Sequence, residues 1–430
     1  PTLTATSPSS TGTPALTGAA EAGSTVTIYN GGASLGQASV DSSGNYTFTP
    51  SSALSDGSYS LSATATDAAG NIGASSGTFS LVVDTVVPSA PILTVTTPTN
   101  DTTPSIGGTA EADATVSIYS GGTLLGQATA GAGGAYTFVT GTLSEGEHTI
   151  TATATDSAGN TSLASDALSL TVDLTPPAIT LIGADVTVAH SGSYTDPGVS
   201  AQDAVDGTVT VSVSHAVDPS TVGTYTVSYS ATDSAGNTGT ASRTVSVTDQ
   251  TAPVITLIGF ATVTVEAATS YLDAGASSSD AVDGNLTGTM VTENQINSTT
   301  LNQPGTYTVT YTSTDAAGNT ATKTRTVQVV DTIAPSAPTL TGTTPTSDNT
   351  PAISGTAEAN ATVTAYSGGT ALGQATADSS GAYTLTVTTL ADGSHSLTAK
   401  ATDSAGNTSS ASSVLAIVVD TAAPTAPTLI

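Results

Sequence analysis

The sequence predicts an all-β protein made of five small tandem domains, and three observations lead to this prediction. Many short segments alternate small or apolar residues with Thr and Ser and are bounded by Gly, Asp and Ser, which is typical of strands joined by hairpin turns. No segment has a convincing helical pattern. An Asp-x-Ala-Gly-Asn motif recurs five times, starting at Asp67, Asp156, Asp233, Asp315 and Asp403. Such repetition indicates an array of similar units.

A second recurring Asp, here named the marker Asp, closes each unit. It follows the first motif by about one strand's length and precedes a proline by a few residues, at Asp84, Asp173, Asp249, Asp331 and Asp420. The markers predict domains 1 to 5 at residues 1–87, 88–175, 176–251, 252–334 and 335–423, with 424–430 as the start of a further linker.

The five domains are of two types, in the order A-A-B-B-A. Type A domains share a Gly-x-Ala-Glu-Ala motif that contains Glu21, Glu111 and Glu358. Type B domains have Asp-Ala-Val-Asp-Gly at the corresponding place, which contains the pairs Asp203 with Asp206 and Asp280 with Asp283. Both types have about seven short strands in fewer than about 100 residues, which is the pattern of an Ig-like β-sandwich.

A recurring corner residue supports the sandwich prediction. Before every Asp-x-Ala-Gly-Asn strand, a Gly is followed two positions later by Tyr59, His148, Tyr225, Tyr307 or His395. Ig-like domains place a corner tyrosine at this point, near the start of strand F. The Asp-x-Ala-Gly-Asn motif is therefore expected to form the turn between strands F and G.

The composition excludes several partners. The chain has 33 acidic residues and four basic ones, for a formal net charge of −29. Nucleic acid binding needs clusters of Lys and Arg, which this composition lacks, and anionic membranes are disfavoured for the same reason. No run of about 20 apolar residues is present to insert into a bilayer. Without Cys or Trp, the cores must be built from Val, Leu, Ile, Ala and Tyr.

Short proline-rich linkers join the domains, as at residues 87–91 and 334–338. Proline fixes φ and biases the preceding residue toward extended conformations, so we expect semi-rigid linkers and a linear array of domains. The Pro-Thr-Leu of residues 1–3 recurs at 338–340 and 427–429. We therefore expect the sequence to be a segment of a longer repetitive protein.

The sandwich topology predicts four groups of carboxylates. In an Ig-like domain the B–C and F–G loops lie at the end that carries the N-terminus, so the acidic residues after strand B and the Asp after strand F should meet the preceding marker Asp. The four groups are Asp84, Glu111 and Asp156; Asp173, Asp203, Asp206 and Asp233; Asp249, Asp280, Asp283 and Asp315; and Asp331, Glu358 and Asp403. Half-sites are expected at Glu21 with Asp67 and at Asp420.

Calcium is the cofactor that such groups favour. Carboxylates held together repel one another unless a cation lies between them, and hard oxygen ligands in loops suit Ca²⁺, which takes six to eight oxygens. An alternative stays open, in which the Asp of each motif only caps its own turn and the marker Asp is solvated. Paired carboxylates also serve glycoside hydrolysis, but no aromatic-lined cleft accompanies these, so we predict that the chain is not an enzyme.

The repeated motifs resemble a known family. Val-Val-Asp-Thr-x-x-Pro, Gly-Thr-Ala-Glu-Ala and Ala-Thr-Asp-Ser-Ala-Gly-Asn are similar to the bacterial Ig-like domains repeated in giant surface adhesins of Gram-negative bacteria, and the type B domains resemble related HYR-like modules. The resemblance implies type I secretion, an extracellular location at the bacterial cell surface, attachment to surfaces, biofilm formation and Ca²⁺ at the domain junctions.

We interpret the chain as a structural stalk, in which calcium at the junctions stiffens a row of domains and holds a distal adhesive domain away from the cell. Its partners would be the neighbouring Ig-like domains of the same long chain. One alternative is a subunit of a self-assembling extracellular filament or sheath, in which other copies are the partners and calcium promotes concentration-dependent fibres. A further alternative is a set of accessory modules in a secreted polysaccharide-degrading enzyme.

Overall fold

The computed structural model describes residues 1–426, so part of the predicted 424–430 linker lies outside the described residues. Within residues 1–426 there is no α-helix, and the regular structure consists of β-strands and two single-turn 3-10 helices, Thr287–Thr289 and Thr300–Asn302. The predicted fold class, all-β tandem Ig-like domains, is confirmed.

The chain divides into two compact units. One comprises residues 1–188 with 192–247, and the other comprises 189–191 with the described residues from 248 onward. Domains 1 to 3 make up the first unit except for residues 189–191 and 248–251 of domain 3, which belong to the second unit with domains 4 and 5.

The type A domains share one strand order. Domain 1 contains β1 (Leu16–Ala19), β2 (Thr25–Asn30), β3 (Ala33–Ser39), β4 (Asn45–Phe48), β5 (Gly57–Thr66) and β6 (Phe79–Val83). Domain 2 contains β7 (Ile92–Thr94), β8 (Ser105–Thr109), β9 (Thr115–Ser120), β10 (Thr123–Thr129), β11 (Ala135–Val139), β12 (Gly146–Thr155) and β13 (Leu168–Val172).

The type B domains have longer final hairpins. Domain 3 contains β14 (Ala178–Leu181), β15 (Val186–Ala189), β16 (Val199–Asp203), β17 (Gly207–Val209), β18 (Val211–Ser214), β19 (Gly223–Thr232) and β20 (Thr238–Thr248). Domain 4 contains β21 (Val254–Leu257), β22 (Thr262–Glu266), β23 (Ala276–Asp280), β24 (Gly284–Asn285), β25 (Val291–Asn294), β26 (Gly305–Thr314) and β27 (Thr320–Val330).

Domain 5 returns to type A. It contains β28 (Thr341–Gly342), β29 (Ala352–Thr356), β30 (Thr362–Ser367), β31 (Thr370–Thr376), β32 (Ala382–Thr386), β33 (Gly393–Thr402) and β34 (Leu415–Val419).

Every domain pairs a four-stranded sheet with a smaller one. In type A the four-stranded orders are β3-β2-β5-β6, β10-β9-β12-β13 and β31-β30-β33-β34, and the smaller sheets are β1-β4, β11-β8-β7 and β28-β29-β32. In type B the orders are β15-β20-β19-β18 with β14-β16-β17, and β22-β27-β26-β25 with β21-β23-β24. Strands F and G are adjacent in all five domains, and the turn between them closes a hairpin; they are β5 and β6, β12 and β13, β19 and β20, β26 and β27, and β33 and β34.

The domain cores follow the alternation of the strands. In domain 2, Ile106, Val116, Ile118, Ile150 and Leu170 are completely buried between the two sheets. The cores consist of Val, Leu, Ile, Ala and Tyr with few other apolar types, as the composition predicted.

The type B cores also contain a buried cation, which no sequence pattern predicts. Arg243 and Arg325 occupy equivalent positions on strand G, and each is 1% exposed. Arg325 donates to the carboxylate of Asp273 and to the carbonyl oxygens of Ile258 and Gly275, and it lies 5.9 Å from the ring centroid of Tyr311. Two of the four basic residues thus hold a domain together rather than facing solvent.

The predicted corner residues are confirmed by their hydrogen bonds. The hydroxyl of Tyr59 donates to the carbonyl oxygen of Ser55 at 2.6 Å, and Tyr225 and Tyr307 make the same bond to the residue four positions earlier. His148 makes it through Nε2 to Ser144 at 2.8 Å, and His395 makes it to Ala391. A carbonyl oxygen can only accept, so Nε2 of each His carries the proton.

The Gly of the Gly-x-Ala-Glu-Ala motif allows two paired strands, β7 and β8 in domain 2, to approach closely. A Cβ atom at Gly108 would lie 1.9 Å from the carbonyl oxygen of Ile92 and 2.6 Å from the hydroxyl of Tyr136, which itself donates to that carbonyl at 3.1 Å. We therefore expect Gly108→Ala to destabilise domain 2 by about 1–3 kcal/mol, as overpacking does. Hydrogen exchange of the β8 and β11 amides in the full chain measures this change.

The matched control is Gly133→Ala in the same domain, where an added Cβ meets no atom within 4 Å. Equal exchange rates in the two variants would contradict the steric argument.

Candidate metal centres

Each Asp-x-Ala-Gly-Asn motif forms the F–G turn, in which the Asp caps the backbone. Oδ1 of Asp156 accepts the N–H groups of Ala158 and Asn160 at 2.8 and 2.9 Å, and Oδ2 accepts the side-chain amide of Asn160 at 2.7 Å. Gly159 has φ of 96°, a conformation that Gly adopts at no steric cost. Although burial alone would raise the pKa of Asp156, these hydrogen bonds hold it below its usual value. The turn role is confirmed, and the carboxylate is kept ionised.

The marker Asp uses one oxygen for its own backbone and leaves the other available. Oδ1 of Asp173 accepts the N–H of Thr175 at 3.1 Å, and Oδ1 of Asp249 accepts the N–H and hydroxyl of Thr251 at 3.0 and 2.8 Å. The second oxygen, Oδ2, is buried in both residues and has no hydrogen-bond partner. Asp173 is only 1% exposed. A buried ionised oxygen without a partner costs free energy unless a cation compensates it.

Two groups of three carboxylates form around these marker residues. The domain-3 site consists of Asp173, Asp203 and Asp233, and the domain-4 site consists of Asp249, Asp280 and Asp315. In each site one oxygen from every residue lies within 4.8 Å of the others. Oδ2 of Asp203 is also buried without a partner. The donor set of three carboxylates fits a hard divalent cation such as Ca²⁺.

The charges in the domain-3 site oppose one another. Burial raises the pKa of Asp173, and the neighbouring charges of Asp203, Asp233 and Glu145 raise it further. A positive ion among these oxygens would relieve the repulsion, because an opposite charge favours the ionised form.

The second Asp of each type B pair lies outside these groups of three. Oδ2 of Asp206 accepts the N–H of Ser234 at 2.6 Å, and Oδ1 accepts its hydroxyl. Oδ2 of Asp283 likewise accepts the N–H of Ala316 at 2.9 Å. These hydrogen bonds connect the loops after β16 and β23 to the F–G turns of the same domains. The bonds from Ser234 also hold the pKa of Asp206 below its usual value.

Comparison with known protein families identifies the domains. A model described as bacterial Ig-like domain matches residues 9–85, 95–174 and 337–421, which together exceed half of the chain. The chain belongs to the bacterial Ig-like domain family. A second model, described as bacterial surface protein, Ig-like domain, matches residues 179–247 and 255–329. The bacterial Ig-like model thus covers the type A domains and the surface-protein model the type B domains.

Several solved structures resemble the chain. Fibronectin(III)-like modules of Clostridium thermocellum CbhA share 20% identity over 40% of this chain and 93% of that one, with a TM-score of 0.29. A tetra-tandem repeat from the extending region of a large adhesion protein shares 23% identity over 98% and 99%, with a TM-score of 0.22. A structure of a 1.5-MDa bacterial ice-binding adhesin shares 16% identity over 95% and 91%, with a TM-score of 0.22.

No curated protein matches the sequence significantly. Among residues 1–426, no helix is long and apolar enough to cross a membrane.

The bacterial Ig-like domains of type A place their acidic residues differently. Within the described residues, neither Asp84, Glu111 and Asp156 nor Asp331, Glu358 and Asp403 form a comparable group of three. Glu111 and Glu358 are exposed and lie two residues beyond the ends of β8 and β29. By contrast, Asp203 and Asp280 are the last residues of β16 and β23, so the sheet itself positions them.

The half-site residues of the first and last domains also lie at the surface. Glu21 and Asp67 line one open pocket together with Pro1 and Asn71. Asp420 is exposed, and its Oδ1 accepts the N–H of Ala422 at 3.1 Å.

Proposed function

We propose that the chain is a stalk segment of a bacterial surface adhesin, stiffened by Ca²⁺ bound where one Ig-like domain follows another. The observation that carries the proposal is the pair of three-carboxylate sites in which a buried oxygen of the marker Asp has no partner. The tandem family matches, one of them to a bacterial surface protein domain, support an extracellular role.

The proposed ligands in the domain-3 site are Asp173, Asp203 and Asp233, and those in the domain-4 site are Asp249, Asp280 and Asp315. Ca²⁺ takes six to eight oxygens, so backbone carbonyls and water would supply the remainder. We also propose weaker sites at Asp84, Glu111 and Asp156 and at Asp331, Glu358 and Asp403, where side chains would have to move toward the ion.

The mechanism follows from where the ligands come from. The marker Asp belongs to the segment that precedes a domain, whereas the other two ligands belong to loops of the domain itself. An ion bound by all three carboxylates would therefore join the incoming segment to the domain and cancel the repulsion between the carboxylates. If a site has a Kd of about 10–100 μM, millimolar calcium stabilises the bound form by roughly 1.4–2.7 kcal/mol.

A stiffened row of domains would hold an adhesive region away from the cell and so serve attachment and biofilm formation. Calcium is scarce in the cytosol and abundant outside, so the chain would remain looser before export, for which we propose the type I route.

Small-angle X-ray scattering of the full chain in millimolar calcium and in excess chelator tests this function. In millimolar calcium we expect the chain to have a longer maximum dimension and less flexibility than in chelator. Na⁺ added at the same concentration of positive charge should produce no such change. Identical profiles in calcium and chelator would contradict the proposal. If the molecular mass derived from the scattering rises with protein concentration in calcium, the result would instead favour the alternative in which copies of the chain assemble into a filament.

A further inference from the structure

In domains 2 to 5, the Asn that ends the F–G turn makes a contact that the turn itself does not need. The side-chain amide of Asn160 donates to the carbonyl oxygen of the marker residue Asp84 at 2.8 Å, as well as to Oδ2 of Asp156 at 2.7 Å. Asp84 belongs to the segment before domain 2, 76 positions earlier in the chain. One amide group therefore connects the turn of a domain to the chain that enters it.

The same contact recurs before every later domain. Asn237 donates to the carbonyl of Asp173 at 2.8 Å, Asn319 to that of Asp249 at 3.4 Å, and Asn407 to that of Asp331 at 3.0 Å. It occurs in both domain types, including the two type A domains whose carboxylates form no group of three. The contact is thus independent of the candidate metal centres.

The amide orientation follows from its two partners. A backbone carbonyl and an ionised carboxylate can only accept hydrogen bonds, so the NH₂ group and not the amide oxygen must face both. The carboxylate bond is charge-assisted and holds the side chain in place. A side chain with two donors on one nitrogen satisfies this geometry, and an Asp at the same position would repel both partners.

Two of the marker residues, Asp84 and Asp173, are also bonded to the domain that precedes them. The N–H of Asp84 donates to the carbonyl of Ser9 and the N–H of Asp173 to that of Thr99, each at 2.9 Å. In Asp84 and Asp173, the N–H therefore bonds to the domain before and the C=O bonds to the domain after. Little rotation about either residue is possible without breaking one of the two bonds.

We propose that Asn160, Asn237, Asn319 and Asn407 form a metal-independent latch, which grips the backbone of the incoming chain and fixes its direction. The latch would stiffen the chain without calcium, and it would do so even where the carboxylates form no group of three. Its partner is defined chemically as the backbone carbonyl of the marker Asp, in the segment that enters from the preceding domain.

Asn71 of domain 1 provides the internal control. It donates to Oδ2 of Asp67 at 2.7 Å as the others do to their own Asp, but it is exposed and grips no carbonyl in the described residues. Asn160, in contrast, is 8% exposed. Asn71→Ala and Asn160→Ala remove the same turn bond, and only Asn160→Ala removes the latch.

The test uses spin labels in excess chelator. Because the chain has no Cys, cysteines introduced at the exposed positions Thr47 and Thr137 carry the only labels, one in domain 1 and one in domain 2. We expect Asn160→Ala to broaden the distance distribution between the labels at least about twofold, and Asn71→Ala to leave it unchanged.

The proposal is overturned if the label distance distribution of Asn160→Ala is as narrow as that of the parent chain. It is also overturned if Asn71→Ala broadens this distribution as much as Asn160→Ala does. Should Asn160→Ala unfold, Asn160→Asp with Asn71→Asp repeats the comparison with side chains of the same size. A negative result for the latch would leave the calcium proposal unaffected, because all these distance measurements are made without the ion.

Discussion

Replacement of Arg325 by Met is expected to destabilise domain 4 by about 3–5 kcal/mol, which is the typical cost of leaving a buried charge without its partner. Asp273 would remain half-buried without its counter-charge, held only by neutral donors that include the hydroxyls of Tyr271 and Tyr311 and the N–H of Gly275. The carbonyl oxygens of Ile258 and Gly275 would lose their donor as well. Hydrogen exchange of the β26 and β27 amides in the full chain should accelerate by about 100-fold to several thousand-fold.

The matched control is Lys323→Met, two residues away on the same strand. It removes the same charge from an exposed side chain, and we expect a change within about 0.5 kcal/mol. Similar acceleration in both variants would show that net charge, not the buried ion pair, decides the stability.

The pH dependence of domain 4 stability gives a second readout, because hydrogen bonds from Tyr311, Tyr271 and Arg325 hold the pKa of Asp273 below its usual value despite burial. The stabilisation from Asp273 is therefore present above the usual Asp pKa and lost as pH falls through the lowered one.

Replacement of Asp173 by Asn is expected to lower the calcium affinity of the domain-3 site by at least about 100-fold, or about 2.7 kcal/mol. Asn keeps an Oδ1 that accepts the N–H of Thr175, so the local turn is preserved, but the buried Oδ2 charge is lost. Without calcium the same change should leave domain 3 as stable or more stable, because it removes the buried charge and the repulsion that together raise the pKa of Asp173.

Calorimetric titration of the full chain with calcium measures the loss, and the domain-4 site provides an unaltered reference in the same sample. Asp166→Asn removes one exposed carboxylate of domain 2 outside any predicted site and should bind calcium as the parent chain does. A titration curve of Asp173→Asn that equals the Asp166→Asn curve would reject Asp173 as a ligand.

Much of the fold could be predicted because its signals are local. The alternation of apolar residues with Thr and Ser indicated the strands, and the recurrence of Asp-x-Ala-Gly-Asn located the F–G turns that the structure contains. The corner position of Tyr59 and its counterparts followed from a spacing of two residues after Gly. Each signal depends on residues only a few positions apart, so it survives without knowledge of the tertiary structure.

The candidate sites were only partly predictable. The sequence grouped Asp206 with Asp203, but the structure separates their roles, because Asp203 ends a strand and Asp206 bonds to Ser234 across the loop. The sequence pattern also predicted that Glu111 is equivalent to the pair Asp203 and Asp206, although Glu111 lies in an exposed loop beyond the end of its strand. The Asn of the turn motif was visible in every repeat, yet nothing in the sequence indicates which carbonyl it grips.

The all-β class, the two domain types and the turn that brings an Asp to one end of each domain are predictable from the sequence, since they depend on short-range patterns. Which carboxylates meet, which Arg is buried and where each latch Asn binds depend on the tertiary packing. Those contacts join residues such as Arg243 with Asp196, 47 positions apart, and Asn160 with Asp84, 76 positions apart. Their geometry depends on how strands from separate parts of the chain pack, and local periodicity carries no information about that packing.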